Sequence, residues 1–316
     1  MNAHIKKILI VGSNGYVGSN LINYYSSNPK LKIYGISRKN NKSKGLEKNF
    51  IGDVNDKLFL QTIHGNFDVI INCIAKTEHF GNKADFYKNN VVAPIKLLQE
   101  FDGKYKVFIH ISSEAAYLNG KLPILKEKMK LPSNTISEYS WSKNLAEKEI
   151  QKFKSKYKNK IIIVRPRLIW GGKNSVALKK LSSALKKKIF FYIDHGRYLT
   201  SSTHIYNLYH GINKAIKYGK NKGQYFIVDK YPTRFNELMS AIYGKKVQAF
   251  SINRHLIYLL CISGDLISWA SFRKIRFMLS RSLYFLTFSE VIIDDSYTKK
   301  LLHFSPLSLK QLIREH

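Results

Sequence analysis

Three residues stand at spacings that suit the movement of a proton. Tyr139-Ser140-Trp141-Ser142-Lys143 sets a phenol and an ammonium four positions apart, on one face of a helix. A phenol titrates near ~10 and is a poor proton shuttle at neutral pH. A neighbouring ammonium, joined by the cation of an oxidised nicotinamide, favours phenolate and lowers that pKa. The phenol can then take the proton of a carbinol while hydride leaves to the nicotinamide. Ser113 closes the Ser112-Ser113 pair that follows the apolar run 107–111, where it can hydrogen-bond the same oxygen and fix it in line. With 20 tyrosines in the chain, a Tyr-x-x-x-Lys pair alone carries little weight. Its place in the order of motifs gives it meaning.

The first of those motifs is Gly12-Ser13-Asn14-Gly15-Tyr16-Val17-Gly18, directly after the apolar run 7–11 and opening a helical segment. In such a turn the first glycine permits the bend, the second lets backbone approach a pyrophosphate, and the third lets helix pack on strand. Backbone N–H groups and the helix dipole then hold the phosphates. The end of the second strand separates the two nicotinamide dinucleotides, since a carboxylate there binds the ribose hydroxyl of NAD and an arginine accommodates the phosphate of NADP. The chain offers Ser37-Arg38-Lys39 and no carboxylate, which leans the reading towards NADP while NAD stays open.

These groups need a scaffold, and the first 170 residues supply a strand–helix alternation. Apolar runs at 7–11, 32–36, 69–73, 107–111 and 161–165 suit strands buried on both faces of a parallel sheet. Helical spacing runs over 18–25 and 144–157, and Pro166 ends the last strand. The expected fold class is α/β, a Rossmann-type doubly wound parallel sheet with a smaller, mostly helical C-terminal substrate lobe. The dinucleotide domain is expected over 1–172. Residues 206–230 return to it through a helix and a strand at 224–228, and 173–205 with 231–316 form the lobe.

Taken in order, Gly12-x-x-Gly15-x-x-Gly18, Gly52-Asp53-Val54, Asn72-Cys73-Ile74-Ala75, Asn90-Val91, Ser112-Ser113 through Tyr117, Tyr139-x-x-x-Lys143 and Arg165-Pro166-x-x-x-Trp170-Gly171 form a set. This set resembles the extended short-chain dehydrogenase/reductases, in their NAD-dependent epimerase/dehydratase branch, over most of the chain. The resemblance implies catalytic roles for Ser113, Tyr139 and Lys143, the last also holding the nicotinamide ribose. It implies cofactor contacts at Gly12, Asn14, Gly15, Tyr16, Val17 and Gly18, with Arg38 at the ribose. Asp53 and Val54 would meet the adenine, Cys73, Ile74 and Ala75 would line the cofactor path, Asn90 would steady the backbone, and Pro166 would shape the nicotinamide pocket. Arg167 beside it, Glu78 and His79 in the loop after Ala75, and Arg197 in Gly196-Arg197-Tyr198-Leu199-Thr200 are the candidates for substrate contact, Arg197 for a diphosphate or carboxylate. Cys73 and Ala116 depart from the branch's usual residues without removing a catalytic group. His204 reads as satisfying a local backbone bond rather than as a base.

The implied activity is NAD(P)-dependent oxidation or epimerisation at a sugar carbinol, most simply C4, of a nucleotide-linked or polyprenyl-diphosphate-linked sugar, serving surface polysaccharide synthesis. A keto-sugar reductase consuming NADPH and a hydroxysteroid-type dehydrogenase stay open, as does a non-enzymatic nucleotide sensor, which would have no need of the proton shuttle. Homodimers are usual among relatives.

Composition bounds these readings. The 316 residues are 44% hydrophobic and 23% charged, which excludes disorder, collagen and coiled coil. Only Cys73 and Cys261 occur, neither with a Cys or His at metal-ligand spacing, so a disulfide scaffold is excluded and a cytoplasmic setting is expected. Lys and Arg number 53 against 21 Asp and Glu, a formal charge of +32. Such a field attracts phosphates, nucleic acid or anionic membrane. Lysine recurring with asparagine in loops such as Lys39-Asn40-Asn41-Lys42 reads mainly as a lysine-biased composition, with no specific nucleic-acid partner. No secretory signal and no spanning run are expected. In 255–288, Arg273, Lys274, Arg276 and Arg281 alternate with aromatic and aliphatic residues. Core packing is the favoured reading there, and contact with the inner face of a membrane is the alternative.

Overall fold

The computed structural model describes residues 6–41, 43–78, 81–120, 124–127, 129–270, 280–281, 284–285 and 290–315. Seven parallel strands carry the fold: β1 (Lys7–Val11), β2 (Lys32–Ser37), β3 (Leu46–Ile51), β4 (Phe67–Asn72), β5 (Tyr105–Ile111), β6 (Lys160–Arg165) and β7 (Gln224–Phe226). Their order across the sheet is β7-β6-β5-β4-β1-β2-β3. The reason lies in β1, whose Ile8 and Ile10 enter one core while Leu9 and Val11 enter the other, all fully buried. A strand with apolar residues pointing to both faces needs a covered layer on each side, which right-handed helical crossovers provide.

Helix α1 (Tyr16–Tyr25) buries Leu21, Ile22 and Tyr25 on the Ile8–Ile10 side. Helix α2 (Ala93–Glu100) buries Leu97 and Leu98 on the other. A π-helical turn, Tyr87–Val92, leads into α2. The chain order reverses between β1 and β4, so their carboxyl ends border the crevice where such sheets bind ligands.

Helix α3 (Glu138–Lys152) begins and ends earlier than the 144–157 expected from its charge pattern. The Ser137 hydroxyl accepts from the Ser140 amide at 3.1 Å and starts the helix, and Phe153 leaves helical geometry at ψ 126°. Edge strand β3 (Leu-Glu-Lys-Asn-Phe-Ile) was not expected, because its half-exposed residues show no continuous apolar run.

Beyond β6 lie α4 (Val176–Lys186), α5 (Ile205–Tyr218), α6 (Phe235–Tyr243), α7 (Arg254–Ala270), α8 (Ser296–Leu302) and α9 (Leu309–Glu315). Strand β7 follows α5 and pairs with β6, so the chain does rejoin the main sheet. Buried Asp229 ties this return together. Its carboxylate accepts from Trp170 Nε1 (2.9 Å), Ser202 Oγ (2.7 Å), the His204 amide (2.8 Å) and Asn207 Nδ2 (2.7 Å). His204 Nδ1 accepts from the Tyr206 amide at 3.2 Å and caps the helix. No helix among the described residues is long and apolar enough to cross a membrane.

Candidate active site

The glycine turn lies across the sheet's reversal point. Gly12 has φ +85°, and its amide donates to Ile36 O at 2.9 Å while the Cys73 amide donates to Val11 O at 2.8 Å. A Cβ on Gly12 would lie 3.2 Å from the backbone of Cys73 and Ile74, and one on Gly18 would strike Gly12 O at 2.3 Å. The first and third glycines are therefore demanded by the geometry of the turn itself. Gly15 caps α1 without any side-chain acceptor, and the first turn holds no acidic residue. The helix N-terminus is thus left for an external anion, and a dinucleotide's diphosphate fits this cradle.

Around the turn, side chains shape the rim. Asn14 Nδ2 donates to Lys39 O at 2.7 Å and to Ser37 Oγ at 3.3 Å, so Asn14 holds the loop after β2. Ser13 Oγ donates to Asn49 Oδ1 at 2.8 Å, which links the turn after β1 to β3. Asp53 accepts from the Asn55 amide at 2.9 Å; burial opposes ionisation, but these bonds and the charges of Lys88 and Arg38 hold its carboxyl below the usual range. Arg38 therefore sits within electrostatic reach of Asp53, and Val54 beside it is buried. Tyr16 Oη donates to Gly171 O at 2.6 Å, and Val17 packs on the core.

The catalytic candidates converge at the ends of β5 and α3. Ser113 follows β5 with extended backbone, and its Oγ donates to Glu114 Oε2 at 2.5 Å. Ser113 Oγ also accepts from the Ala115 amide at 3.2 Å. The Tyr139 phenol hydrogen-bonds Ser113.

The electrostatics differ from the expectation. Burial first, and the Glu114 carboxylate second, push the Tyr139 phenol well above its usual range, and the Ser113 bond offsets only part. Lys143 does not offset it. Its Nζ donates to Ile111 O at 2.9 Å, and burial lowers the ammonium to about 8 despite Glu147 and Cys73. In the free protein the phenol keeps its proton.

Glu114 is the residue that the sequence reading missed. It is buried beside Ser113, and Arg167 Nη1 donates to its Oε1 at 2.6 Å. Arg167, expected at the substrate, is itself buried; its Nε and Nη2 donate to Thr200 Oγ1 at 3.3 and 3.2 Å. The guanidinium thus reaches the site through Glu114. A carboxylate and a guanidinium far apart in sequence give no spacing signal, although a Glu directly after Ser113 was visible.

A second buried pair supports α3. Arg165 Nη2 donates to Glu147 Oε2 at 2.6 Å, and Ser112 Oγ donates to Glu147 Oε1 at 2.6 Å. The guanidinium also lies 4.6 Å from the Tyr117 ring centroid. Helix α3 is thereby bolted to the ends of β5 and β6. Asn90 does similar work: its Nδ2 donates to Ser142 Oγ at 2.8 Å and to Lys76 O at 3.0 Å, which joins the π-helical turn to α3 and the loop after β4.

Of the remaining candidates, Cys73, Ile74 and Ala75 are half-buried at the end of β4. Burial pushes the Cys73 thiol up to about 12. Pro166 O accepts from the Glu114 amide at 3.2 Å. Glu78 is exposed, 3.8 Å from Lys76 Nζ, and His79 lies outside the described residues. Arg197 lines a separate cavity of about 480 Å³ together with His195, Tyr198, Arg254, Asp194 and Glu290. Three successive residues there, Asp194, His195 and Gly196, have φ of 45°, 58° and 65°. The two non-glycine members hold a strained backbone that the His195 amide's bond to Ser251 Oγ (2.8 Å) helps to fix. Arg254 donates to Asp194 through both its amide and its guanidinium.

A Rossmann-type sheet with a serine, a tyrosine and a lysine at its carboxyl edge defines an extended short-chain dehydrogenase/reductase. The model of the NAD dependent epimerase/dehydratase family matches residues 8–226, and the chain belongs to that family. It is an enzyme whose cofactor is a nicotinamide adenine dinucleotide. Among curated proteins, it is 25% identical over 243 residues to a 4-hydroxy-2-methyl-3-oxo-4-farnesyl-3,4-dihydroquinoline-1-oxide ketoreductase of Stigmatella aurantiaca, covering 75% of this chain and 72% of that one. It is 26% identical over 255 residues to a decarboxylating sterol-4-alpha-carboxylate 3-dehydrogenase of Dictyostelium discoideum, covering 77% of each. The fold superposes on UDP-glucuronic acid 4-epimerase from Bacillus cereus, solved with NAD, with TM-score 0.70, 19% identity and 97% and 96% of the two chains covered.

Proposed function

We propose that this enzyme interconverts a carbinol and a ketone on a sugar carried by a diphosphate, nucleotide- or polyprenyl-linked, and that the free enzyme is poised for the reducing direction. The observation that carries the direction is Glu114. Its carboxylate takes the Ser113 proton and disfavours phenolate at Tyr139, so the resting site holds an acid ready for a ketone oxygen.

In this reading, the Ser113 hydroxyl turns its proton from Glu114 to the ketone oxygen, which comes to lie beside the Tyr139 phenol. The bound reduced dinucleotide supplies hydride. Tyr139 gives its proton to the oxygen as charge develops there, and Lys143, held on Ile111 O, steadies the cofactor's ribose. The glycine turn holds the diphosphate of the cofactor, with Asp53 and Val54 at its adenine. Arg38, with no carboxylate at Ser37, favours NADP(H) over NAD(H).

The C4 carbon of the sugar is the simplest site, and a cytoplasmic role in surface polysaccharide synthesis accords with it. The Arg197 guanidinium in that cavity supports a diphosphate-linked carrier, because a planar guanidinium suits phosphate oxygens. A second reading is an apolar alicyclic carbinol. The names of the two curated relatives, a farnesylated quinoline-oxide ketoreductase and a sterol-carboxylate dehydrogenase, favour it.

The test is turnover of a 4-keto diphosphate-linked sugar with NADPH and with NADH, followed by mass spectrometry of the product, alongside a 3-keto sterol. Reduction of the sugar alone supports the first reading. Reduction of the sterol alone replaces it with the second. Dinucleotide retained on the purified protein, with interconversion of two sugar epimers and no net consumption of NADPH, would replace the reductive direction by epimerisation.

A further inference from the structure

Helix α7 (Arg254–Ala270) has two apolar sides, and among the described residues the body of the protein buries one of them. Ile257, Cys261 and Gly264, at i, i+4 and i+7, are buried, with Ile257 against the cluster of Leu181, Tyr192 and Phe235. The opposite stripe is Leu256, Leu259, Leu260, Leu266 and Ile267. Leu259 and Leu266 are 60% and 59% exposed, and Trp269 at the rim is 78% exposed. No charged residue interrupts that stripe. Arg254 and Asp265 are the helix's only Lys, Arg, Asp or Glu residues, and Asp265 accepts from Arg281 Nε at 2.6 Å off the stripe. A contiguous exposed apolar face of this kind marks an interaction surface.

We propose that this face docks on an anionic phospholipid bilayer, with α7 lying in the plane of the headgroups. The described residues contain no helix long and apolar enough to cross the ~30 Å hydrocarbon core, and Gly264-Asp265 interrupts this one, which suits lying better than spanning. Charge argues for lipid over a second copy of the chain. Two chains of +32 repel each other, whereas anionic headgroups attract that charge. Arg254 and His255 begin the helix, and the sequence places Arg273, Lys274 and Arg276 just after it, outside the described residues. An apolar stripe with a rim tryptophan, followed in the sequence by basic residues, suits the interface. Core packing, the favoured sequence reading, accounts for the covered side of α7 alone. The inference goes beyond the substrate assignment and holds for either reading.

The experiment is flotation of the purified full chain with vesicles of phosphatidylcholine alone and of phosphatidylcholine with phosphatidylglycerol. We expect binding to the anionic vesicles, weakened by salt, and a drop of about fivefold or more in Leu259→Glu/Leu266→Glu. Melting temperature of the variant, whose two sites are exposed, checks that it folds. A wild type that stays unbound with anionic vesicles at low salt overturns the proposal, as does a folded variant that floats like the wild type. A dimer by light scattering that this variant converts to monomer would assign the face to a second copy instead. Tyr139→Phe should float normally, so loss of the enzymatic reading and loss of this one are separable.

Discussion

Glu114 and Ser113 are neighbours in the chain whose side chains meet at 2.5 Å, carboxylate to hydroxyl, inside the site. That contact fixes where the serine's only proton points. With Arg167 Nη1 on the other carboxylate oxygen at 2.6 Å, Glu114 cannot easily turn away. The resting serine is therefore held between the Glu114 carboxylate and the Ala115 amide.

Glu114→Gln keeps the shape and removes the charge. Because the carboxylate helps hold the Tyr139 phenol above its usual range, the variant's phenol should ionise at lower pH than wild type. Ketone reduction, which uses the protonated phenol, should lose rate at a lower pH on its alkaline side. Carbinol oxidation near neutrality should gain. The check is kcat against pH in both directions; superimposable profiles would remove Glu114 from the proton inventory.

Tyr139→Phe removes the proton donor and leaves the ring. We expect a loss of kcat on the order of 10²–10⁴. Dinucleotide affinity, measured by fluorescence titration, should stay within about threefold, a difference below 1 kcal/mol. Turnover equal to wild type would end the tyrosine mechanism.

Lys143 carries a stability cost whose sign can be stated. Its ordinary value of 10.5 falls to about 8 in the fold, so the unfolded chain binds more protons between those pH values. Stability from this group therefore rises as pH increases from about 8 to 10.5, and the penalty is fully present below 8. Its size is about 3 kcal/mol, reduced by the lost bond to Ile111 O when the lysine is replaced. Lys143→Met should lose activity yet melt no lower than wild type at pH 7, with a smaller rise in stability across the alkaline range. Denaturant titrations at three pH values measure this.

Glu147→Ala should act oppositely. It strips the buried Arg165 of its carboxylate and should cost about 3–5 kcal/mol of stability. A melting temperature unchanged from wild type would show that the pair is dispensable.

Arg38→Asp tests the cofactor preference. A carboxylate at the rim should favour NAD over NADP by roughly tenfold or more, about 1.4 kcal/mol, in the ratio of kcat/KM values. An unchanged ratio would place NADP recognition elsewhere.

The parts of this molecule legible in its sequence are those governed by local or periodic rules. The run 7–11 announced a doubly covered strand because its four residues after Lys7 are all apolar, and Gly12 and Gly18 announced the turn because no other residue fits. The Tyr139–Lys143 spacing placed both groups on α3, but spacing could not say that Lys143 would turn to Ile111 O. Strand β3 escaped notice because an edge strand needs little apolar surface. Helix α3 was set back because Ser137, a single capping hydroxyl, outranks the charge pattern downstream. Arg167 was assigned outward because nothing local reveals that Glu114, distant in the chain, awaits it.

The order of the sheet also bears on how the chain is made. When the ribosome has delivered β6, the outer edge of that strand has no neighbour, and its partner β7 arrives only after α4 and α5 have been synthesised. Throughout that interval an Ile- and Val-rich strand presents open backbone to other nascent chains. Truncations that stop between residues 166 and 223 should accordingly be the aggregation-prone ones, measurable by light scattering against a chain ending beyond 230.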